Sequence, residues 1–248
     1  MKIIELCGPP CAGKTYIKNS IIKNNIKISN SDFLIYDTAH FFIDLNYIEK
    51  ISLKYFKYIK MFNRKNKVIK KHTRNIIIKN FKISSKKKIK NFPNLFLSYY
   101  RNVCKKIFYL YKKENPSFVK YVFKLIKQIK DKKQKKKIKE WYIEIFAKFY
   151  IAKNLNNKKT IIFDEGIVQR SLFLINFNGN LEKRLKKYIT LSDKSNFLVF
   201  IDNKISNLIK RSKKRSFLSS DQFSYKSTSE VKKYKRFFKA YFKILKKI

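Results

Sequence analysis

The stretch that decides the fold is Gly8-Pro9-Pro10-Cys11-Ala12-Gly13-Lys14-Thr15. It matches the pattern G-x-x-x-x-G-K-[ST], in which glycines adopt backbone angles closed to other residues and main-chain N–H groups cradle phosphate oxygens. Only four glycines occur in the 248-residue chain, and two of them stand where the pattern requires glycine. The sequence therefore predicts a phosphate-binding loop over residues 8–15.

The segments on either side of this loop support the prediction. Lys2–Cys7 reads as a short buried strand, and after Thr15 an apolar face recurs at helical spacing, formed by Tyr16, Ile17, Ile21, Ile22 and Ile26. A helix that starts directly after the loop turns its partially positive N-terminus toward the phosphates. We expect Lys14 to reach the β- and γ-phosphates of ATP and the Thr15 hydroxyl to bind Mg²⁺. The backbone of the remaining loop residues is expected to cradle the phosphates: Gly8, Pro9, Pro10, Cys11, Ala12 and Gly13.

A second apolar run ends in two carboxylates. Thr160–Phe163 reads as a strand, and Asp164, Glu165 and the third glycine, Gly166, follow it. In a parallel sheet this end of the strand lies beside the glycine loop, where ligands bind. We expect Asp164 to hold the water shell of Mg²⁺. Glu165 is a candidate to orient or deprotonate the attacking group, or to bind the acceptor.

The chain around these motifs is strongly basic. It carries 61 Lys+Arg against 16 Asp+Glu, a net charge of +45, and 53 of the basic residues are lysine. A lysine, isoleucine and asparagine bias across the whole chain explains much of this charge. Its field nevertheless attracts polyanions, nucleotides and acidic membranes.

Composition also excludes several classes of protein. With 44% apolar and 16% aromatic residues, the chain has enough material for a core and is not wholly disordered. Three cysteines without framework spacing argue against a disulfide-stapled secreted fold. No apolar run approaches the ~18 residues that span a bilayer, and the N-terminus lacks the pattern of a signal peptide. We therefore expect a cytoplasmic protein.

Together, Gly8–Thr15 and Phe163-Asp164-Glu165-Gly166-Ile167-Val168-Gln169-Arg170 resemble the P-loop nucleoside and nucleotide kinases, the thymidylate-kinase-like and deoxynucleoside-kinase-like proteins. A third segment, 196–202, reads as another buried strand, and a helical stretch with Arg211 and Arg215 follows it. The resemblance implies a three-layer α/β/α P-loop NTPase fold with a parallel sheet, and a lid-like region at 203–226 whose two arginines close over the phosphates. It also implies transfer of the γ-phosphoryl group of ATP, with Mg²⁺, to a small hydroxyl- or phosphate-bearing acceptor: a nucleoside, a nucleotide or a sugar-like molecule.

The residues expected to contact the phosphoryl acceptor are also inferred from the resemblance. Phe33–Tyr36 reads as the second strand and ends at Asp37, and in several kinases of this superfamily an acid at that strand end contacts or deprotonates the acceptor hydroxyl. Arg170 would reach the acceptor or a phosphate. Asp164-Glu165-Gly166 replaces the D-R-[YF] and E-R-S motifs of the two families, so the identity of the acceptor does not transfer to this chain.

We interpret residues 1–248 as a single domain with a long basic helical insertion at 50–155. Pro93 and Pro116 divide the insertion into helices near 52–82, 94–114 and 117–153. Trp141, Ile145, Phe149 and Ala152 recur at helical spacing and are expected in the core. No clear fifth strand follows the lid-like region, and a C-terminal amphipathic helix is expected to pack on the sheet.

Two other classes of function remain open. Asp164 followed by Glu165 equally resembles the acid pair of ATPases, in which the glutamate polarises water, so the protein could hydrolyse ATP to drive a partner. Alternatively, it is a basic binder that only senses nucleotide: of nucleic acid through runs such as Lys132–Lys137, or of an anionic membrane surface through the C-terminal helix. The oligomeric state is open.

Overall fold

A parallel sheet of four strands forms the centre of the fold. The computed structural model describes residues 2–25, 27–62, 86–156, 159–175, 180–218 and 228–247. Within them the strands lie in the spatial order β2-β3-β1-β4, with β1 at Lys2–Cys7, β2 at Ile28–Asn30, β3 at Thr160–Phe163 and β4 at Phe197–Phe200. All three pairings are parallel. The carboxyl ends of the strands therefore meet at one edge, where the chain leaves β1 into the glycine loop.

Helices cover both faces of this sheet. On one face, Leu6 and Ile162 pack with isoleucines of α1, which spans Lys14–Lys23. On the other face, Ile3, Ile161 and Phe163 belong to a larger core that is rich in aromatic rings. The result is an α/β protein with a central parallel sheet, an arrangement compatible with three layers.

The described part of the long region between the second and third strands is mainly helical, as predicted, but the helix boundaries differ. The helices are α2 (Leu34–Thr38), α3 (Tyr47–Phe62), α4 (Lys86–Glu114), α5 (Pro116–Lys127) and α6 (Lys132–Asn154). The predicted helix 52–82 is described only up to Phe62, and α4 continues through Pro93 instead of starting after it. The predicted helix 117–153 is in fact two helices, because the Asp131 carboxylate caps a new helix by accepting a hydrogen bond from Gln134 N at 2.8 Å.

The helical region is continuous with the core. Phe149 of α6 packs on Phe163 of β3 with ring centroids 4.7 Å apart. Phe146, one turn earlier, is fully buried and contacts the rings of Phe108, Tyr111, Phe118 and Tyr142. Helix α6 therefore forms part of the layer that covers the sheet.

The second predicted strand was wrong. Strand β2 is Ile28–Asn30, and the residues expected to form a strand, Phe33–Tyr36, instead end a 3₁₀ turn (Ser31–Phe33) and begin α2. The Asn30 side chain accepts a hydrogen bond from Asp32 N at 2.9 Å and so caps this turn. An apolar run of three or four residues fits a short strand and a short helix equally well, and here the capping residue decides between them.

After β3 the chain forms α7 (Ile167–Ser171), α8 (Leu181–Leu191), β4, α9 (Ile205–Leu218) and α10 (Thr228–Leu245). Strand β4 is less buried than predicted: it is an edge strand, with Phe197 51% and Val199 43% exposed. Helix α10 packs on the sheet as expected, since its apolar face is buried and Phe238 contacts Phe200 of β4. Among the described helices, none is long and apolar enough to cross a membrane.

The aromatic core yields a test of the fold. Replacing Phe146 with alanine should lower the free energy of unfolding by about 3–5 kcal/mol, because it leaves a cavity among four packed rings. Urea denaturation monitored by circular dichroism measures the change. Tyr109→Ala, at a ring that is 58% exposed, is the control and should change stability by less than about 1 kcal/mol. Equal effects of the two substitutions would contradict the described core.

Candidate functional site

The glycine loop, residues 8–15, folds tightly between β1 and α1. Gly8 and Gly13 have φ of 150° and 105°, and Cys11 has φ of 62°. A Cβ on Gly8 would lie 2.1 Å from the carbonyl oxygen of Ile201, so the loop passes too close to the chain after β4 for any other residue. The two glycines singled out in the sequence therefore stand where positive φ and close approach require them.

Lys14 begins α1, and its side chain lies inside the loop. The Nζ donates hydrogen bonds to the carbonyl oxygens of Gly8 at 2.9 Å and Pro9 at 3.0 Å. Burial lowers the pKa of Lys14 to about 8, and the carboxylates of Glu165 and Asp164 partly offset this effect. The loop therefore encloses a positive charge that an anion entering the loop would stabilise.

Asp164, directly after β3, connects to the start of α1. The Thr15 hydroxyl donates a hydrogen bond to Asp164 Oδ2 at 2.9 Å. Lys18, one turn further along α1 and only 1% exposed, donates to Asp164 Oδ1 at 2.9 Å. The structure thus brings together the hydroxyl and the carboxylate predicted as a pair, and adds a buried lysine that the sequence analysis missed.

The same lysine binds a second carboxylate. Lys18 Nζ lies 2.7 Å from Asp32 Oδ2, in the turn that follows β2. Asp32 therefore occupies the strand-end position that the sequence analysis gave to Asp37. Asp37 instead lies on α2, where it is exposed and its Oδ1 is 2.5 Å from Lys57 Nζ. Because the strand was predicted several residues too late, Asp37 falls on a helix and not at a strand end.

Glu165 and Arg170 form an ion pair at the mouth of the site. Arg170 Nη2 donates to Glu165 Oε2 at 2.6 Å, and the guanidinium lies over the ring of Trp141 at 4.4 Å from its centroid. Arg170 Nε is buried and has no hydrogen-bond partner among the described residues. Trp141, expected in the core, is only partly buried and lines the site, whereas Ile145, Phe149 and Ala152 of the same predicted stripe are buried.

Of the two arginines predicted in the lid-like region, the structure describes the side chain of one. Arg211 of α9 donates from Nη1 to the carbonyl oxygen of Ala12 at 3.4 Å, so it reaches the glycine loop. Arg215 lies one turn further along the same helix, and its side chain lies outside the described part of the structure, as do residues 219–226 of the predicted region 203–226. The structure therefore places Arg211 against the loop, and the role of Arg215 stays a prediction.

A buried carboxylate, Glu5, joins the loop to the segment after β3. Glu5 Oε1 accepts a hydrogen bond from Gln169 N at 3.0 Å, and Gln169 Oε1 accepts one from Gly8 N at 3.1 Å. A Cβ on Gly166 would lie 2.3 Å from the Glu5 carboxyl carbon. These contacts explain the third glycine and fix the loop relative to Asp164 and Glu165. An acid inside an apolar strand is the sequence signal that could have revealed Glu5.

Two adjoining cavities flank these residues. The larger, of about 970 Å³, runs along the glycine loop to Ile201, Asn203 and Arg211. The smaller, of about 190 Å³, lies beyond Asp164 toward β2 and α6. Four residues line both cavities: Trp141, Asp164, Glu165 and Arg170. The arrangement can hold two ligands that meet at Asp164.

The residues present fit a magnesium ion that is bound together with nucleotide phosphates. Mg²⁺ in such sites takes one or two protein oxygens and completes its shell with phosphate and water oxygens. The Thr15 hydroxyl and the Asp164 carboxylate supply two oxygens 2.9 Å apart. In the described residues, no group of three or more His, Cys, Asp or Glu side chains is placed to hold a metal ion without such a ligand.

The buried Glu5 yields a test by pH. Burial raises its pKa from 4.5 to about 7 despite the hydrogen bonds it accepts, so the folded protein holds this proton more tightly than the unfolded chain. The stability gained is full below about pH 4.5 and is lost as the pH rises through about 7. Between pH 6 and 8, the wild type should therefore lose roughly 1 kcal/mol of unfolding free energy relative to Glu5→Gln, measured by urea denaturation. A difference that stays constant across this range would contradict a buried, protonated Glu5.

Known proteins add nothing to this geometry. Comparisons with protein-family models, curated proteins and solved structures find no match. The chemistry of the site is therefore inferred from its own residues.

Proposed function

We propose that the protein is a P-loop NTPase of the kinase type, which transfers the γ-phosphoryl group of ATP to a small acceptor. One observation carries the proposal: the Thr15 hydroxyl lies 2.9 Å from Asp164 Oδ2, beside a loop whose glycines take positive φ around the Lys14 amine. The strand order β2-β3-β1-β4 sets the loop and Asp164 at neighbouring strand ends, where ligands of open parallel sheets bind.

The larger cavity suits the nucleotide. Its loop end presents the N-terminus of α1 and Lys14 to the phosphates. Its other end, between Ile201, Asn203 and Arg211, is open enough for a base and a ribose. Arg211, whose guanidinium reaches the loop backbone, would clamp the transferring group.

The bonds, the electron pair and the proton of the proposed reaction are all accounted for by ATP, the acceptor and residues of this chain. The acceptor hydroxyl oxygen forms a bond to the γ-phosphorus, the bond from that phosphorus to the bridging oxygen breaks, and ADP leaves with the electron pair. The hydroxyl proton passes to a carboxylate, either Glu165 at the junction of the two cavities or Asp32 in the smaller one. Bound Mg²⁺ would supply charge neutralisation at the phosphates, with Thr15 and Asp164 as its protein oxygens. Lys14, Arg170 and Arg211 stabilise the negative charge of the transferring group.

The second cavity favours transfer over hydrolysis. A hydrolase needs room only for water beside the γ-phosphate, whereas about 190 Å³ adjoins Asp164 and Glu165 here. The alternative of an ATPase keeps Glu165 as the residue that polarises water. A protein that binds membrane surfaces through α10 would need an exposed apolar face on that helix. Val231, Phe238 and Tyr241 of this face are instead buried.

The first test removes the charge inside the loop. Lys14→Ala should weaken Mg·ATP binding by about 10²-fold or more, because it deletes charge-assisted contacts to two phosphates. Isothermal titration calorimetry measures the affinity, and thermal melting verifies that the variant is folded. Lys23→Ala, at an exposed lysine of the same helix, is the matched control and should bind as the wild type does. Equal affinities for wild type and Lys14→Ala would refute the nucleotide site.

A second test addresses Arg211. If its guanidinium stabilises the transferring phosphoryl group, Arg211→Ala should slow turnover of ATP by about 10²-fold with a smaller change in nucleotide affinity. Single-turnover measurements with γ-labelled ATP separate the two effects. The exposed Arg236 of α10 provides the control substitution, Arg236→Ala. An unchanged rate in Arg211→Ala would remove α9 from the catalytic machinery.

A further inference from the structure

We propose that the acceptor is an uncharged, hydroxyl-rich molecule of the sugar, polyol or nucleoside type, and not a phosphate ester. This inference rests on the proposed function and narrows it, since the sequence left hydroxyl- and phosphate-bearing acceptors equally open. It is drawn from the smaller cavity, which we call the acceptor cavity. Its lining residues are Ser31, Asp32, Trp141, Glu144, Ile145, Lys148, Phe163, Asp164, Glu165 and Arg170.

Acidic residues outnumber basic residues in the lining of the acceptor cavity, whereas basic residues outnumber acidic ones in the whole chain. Four carboxylates line it, from Asp32, Glu144, Asp164 and Glu165, against two cations, Lys148 and Arg170. The whole chain has 61 basic and only 16 acidic residues. A quarter of its acids therefore surround one cavity. Lys18, buried behind Asp32 and Asp164 and paired with both, adds a third cation, so four carboxylates still outnumber the cations around the cavity. A phosphate ester entering that cavity would meet net negative charge, which opposes binding.

The two cations that line the cavity are also committed to carboxylates. Lys148 Nζ lies 2.7 Å from Glu144 Oε1, one turn earlier on α6, and its side chain is only 10% exposed. Burial alone would lower the pKa of Lys148, but the Glu144 and Asp32 carboxylates together with the Glu144 hydrogen bond offset that effect, and the pKa is raised. Arg170 is held 2.6 Å from Glu165. An anionic acceptor would have to compete with these carboxylates for each cation.

Arg170 Nε remains as a buried donor without a partner among the described residues. It belongs to a side chain that lines both cavities. The transferring phosphoryl group passes between the two cavities, so this donor suits that group and not a second phosphate deeper in the acceptor cavity. Its position is therefore consistent with an uncharged acceptor.

The lining groups also define what an acceptor must offer. Ionised carboxylates only accept hydrogen bonds, so a ligand that contacts Asp32 or Glu144, beside the lysines that already pair with them, must present O–H or N–H donors. The Ser31 hydroxyl can complement either kind of group. A hydroxyl-rich molecule meets this requirement without bringing charge into the cavity.

The experiment offers matched pairs of acceptors to the full-length protein with γ-labelled ATP. Each pair is an uncharged compound and its phosphate ester: ribose and ribose 5-phosphate, glycerol and glycerol 3-phosphate, and each common nucleoside with its 5′-monophosphate. We expect labelled product from at least one uncharged member, with kcat/KM at least about tenfold above that of its phosphate ester, the discrimination that one unfavourable charge contact of about 1.4 kcal/mol provides. A preference for any phosphate ester over its uncharged partner would overturn the inference.

A charge variant tests whether the cavity sets this preference. Glu144→Gln releases Lys148 and should reduce the preference for the uncharged member by about tenfold, mainly through a lower KM for the ester. Glu140→Gln is the matched control: Glu140 lies on the same helix, is similarly exposed and pairs with Arg101 at 2.7 Å outside the cavity. An unchanged preference in Glu144→Gln, or an equal change in Glu140→Gln, would contradict the assignment.

The outcomes separate this inference from the proposed function. Loss of Mg·ATP binding in Lys14→Ala tests the nucleotide site independently of any acceptor. If nucleotide binds and phosphate esters are the better substrates, the kinase proposal stands and the inference fails. If nucleotide binds and is hydrolysed at a rate that no acceptor pair increases, the inference fails and the ATPase alternative is favoured.

Discussion

The site depends on one buried ammonium group. Lys18 Nζ lies between Asp32 and Asp164 at 2.7 and 2.9 Å, with its side chain only 2% exposed. It joins the first helix to the ends of β2 and β3, the two strands that carry acids into the site. Removing one partner of such a buried pair costs about 3–5 kcal/mol, because an uncompensated charge remains away from water. Lys18 therefore fixes the positions of both carboxylates, although it has no part in the proposed transfer step.

Glu5 complements this arrangement on the other face of the sheet. Lys18 ties Asp164 to the helix after the glycine loop, whereas Glu5 ties the segment after Asp164 to the loop itself through Gln169 and Gly8. The loop and the acidic strand end are thus connected at two points. This double connection explains how two residues 149 positions apart in the chain keep a hydroxyl and a carboxylate in hydrogen-bond contact.

Much of this architecture was predictable where a motif and an apolar run coincide. Strands β1 and β3, the tight glycine turn after β1 and the start of α1 were predicted correctly, because glycines are scarce in this chain and mark their positions clearly. The apolar face predicted for α1 was wrong at Tyr16, which is 80% exposed. The second strand was not, because a three-residue strand leaves no periodic pattern and the acid after it looks like any turn residue. Lys18 was hidden among 53 lysines, and only its burial between two acids distinguishes it. Trp141 lies at the cavity end of a stripe whose other members are in the core, and periodicity alone does not separate the two environments.

The exposed edge of the sheet carries a consequence for the behaviour of the protein in solution. Strand β4 leaves Phe197 and Val199 exposed at a sheet edge that no strand in the described part of the chain pairs with. Such an edge is a template for pairing with another chain. A net charge of +45 on every copy opposes that encounter over a Debye length of about 10 Å at 0.1 M salt and only about 3 Å at 1 M. The excess of lysine, which looks like compositional background, thus also opposes association between copies of the chain. Concentrated salt removes this repulsion.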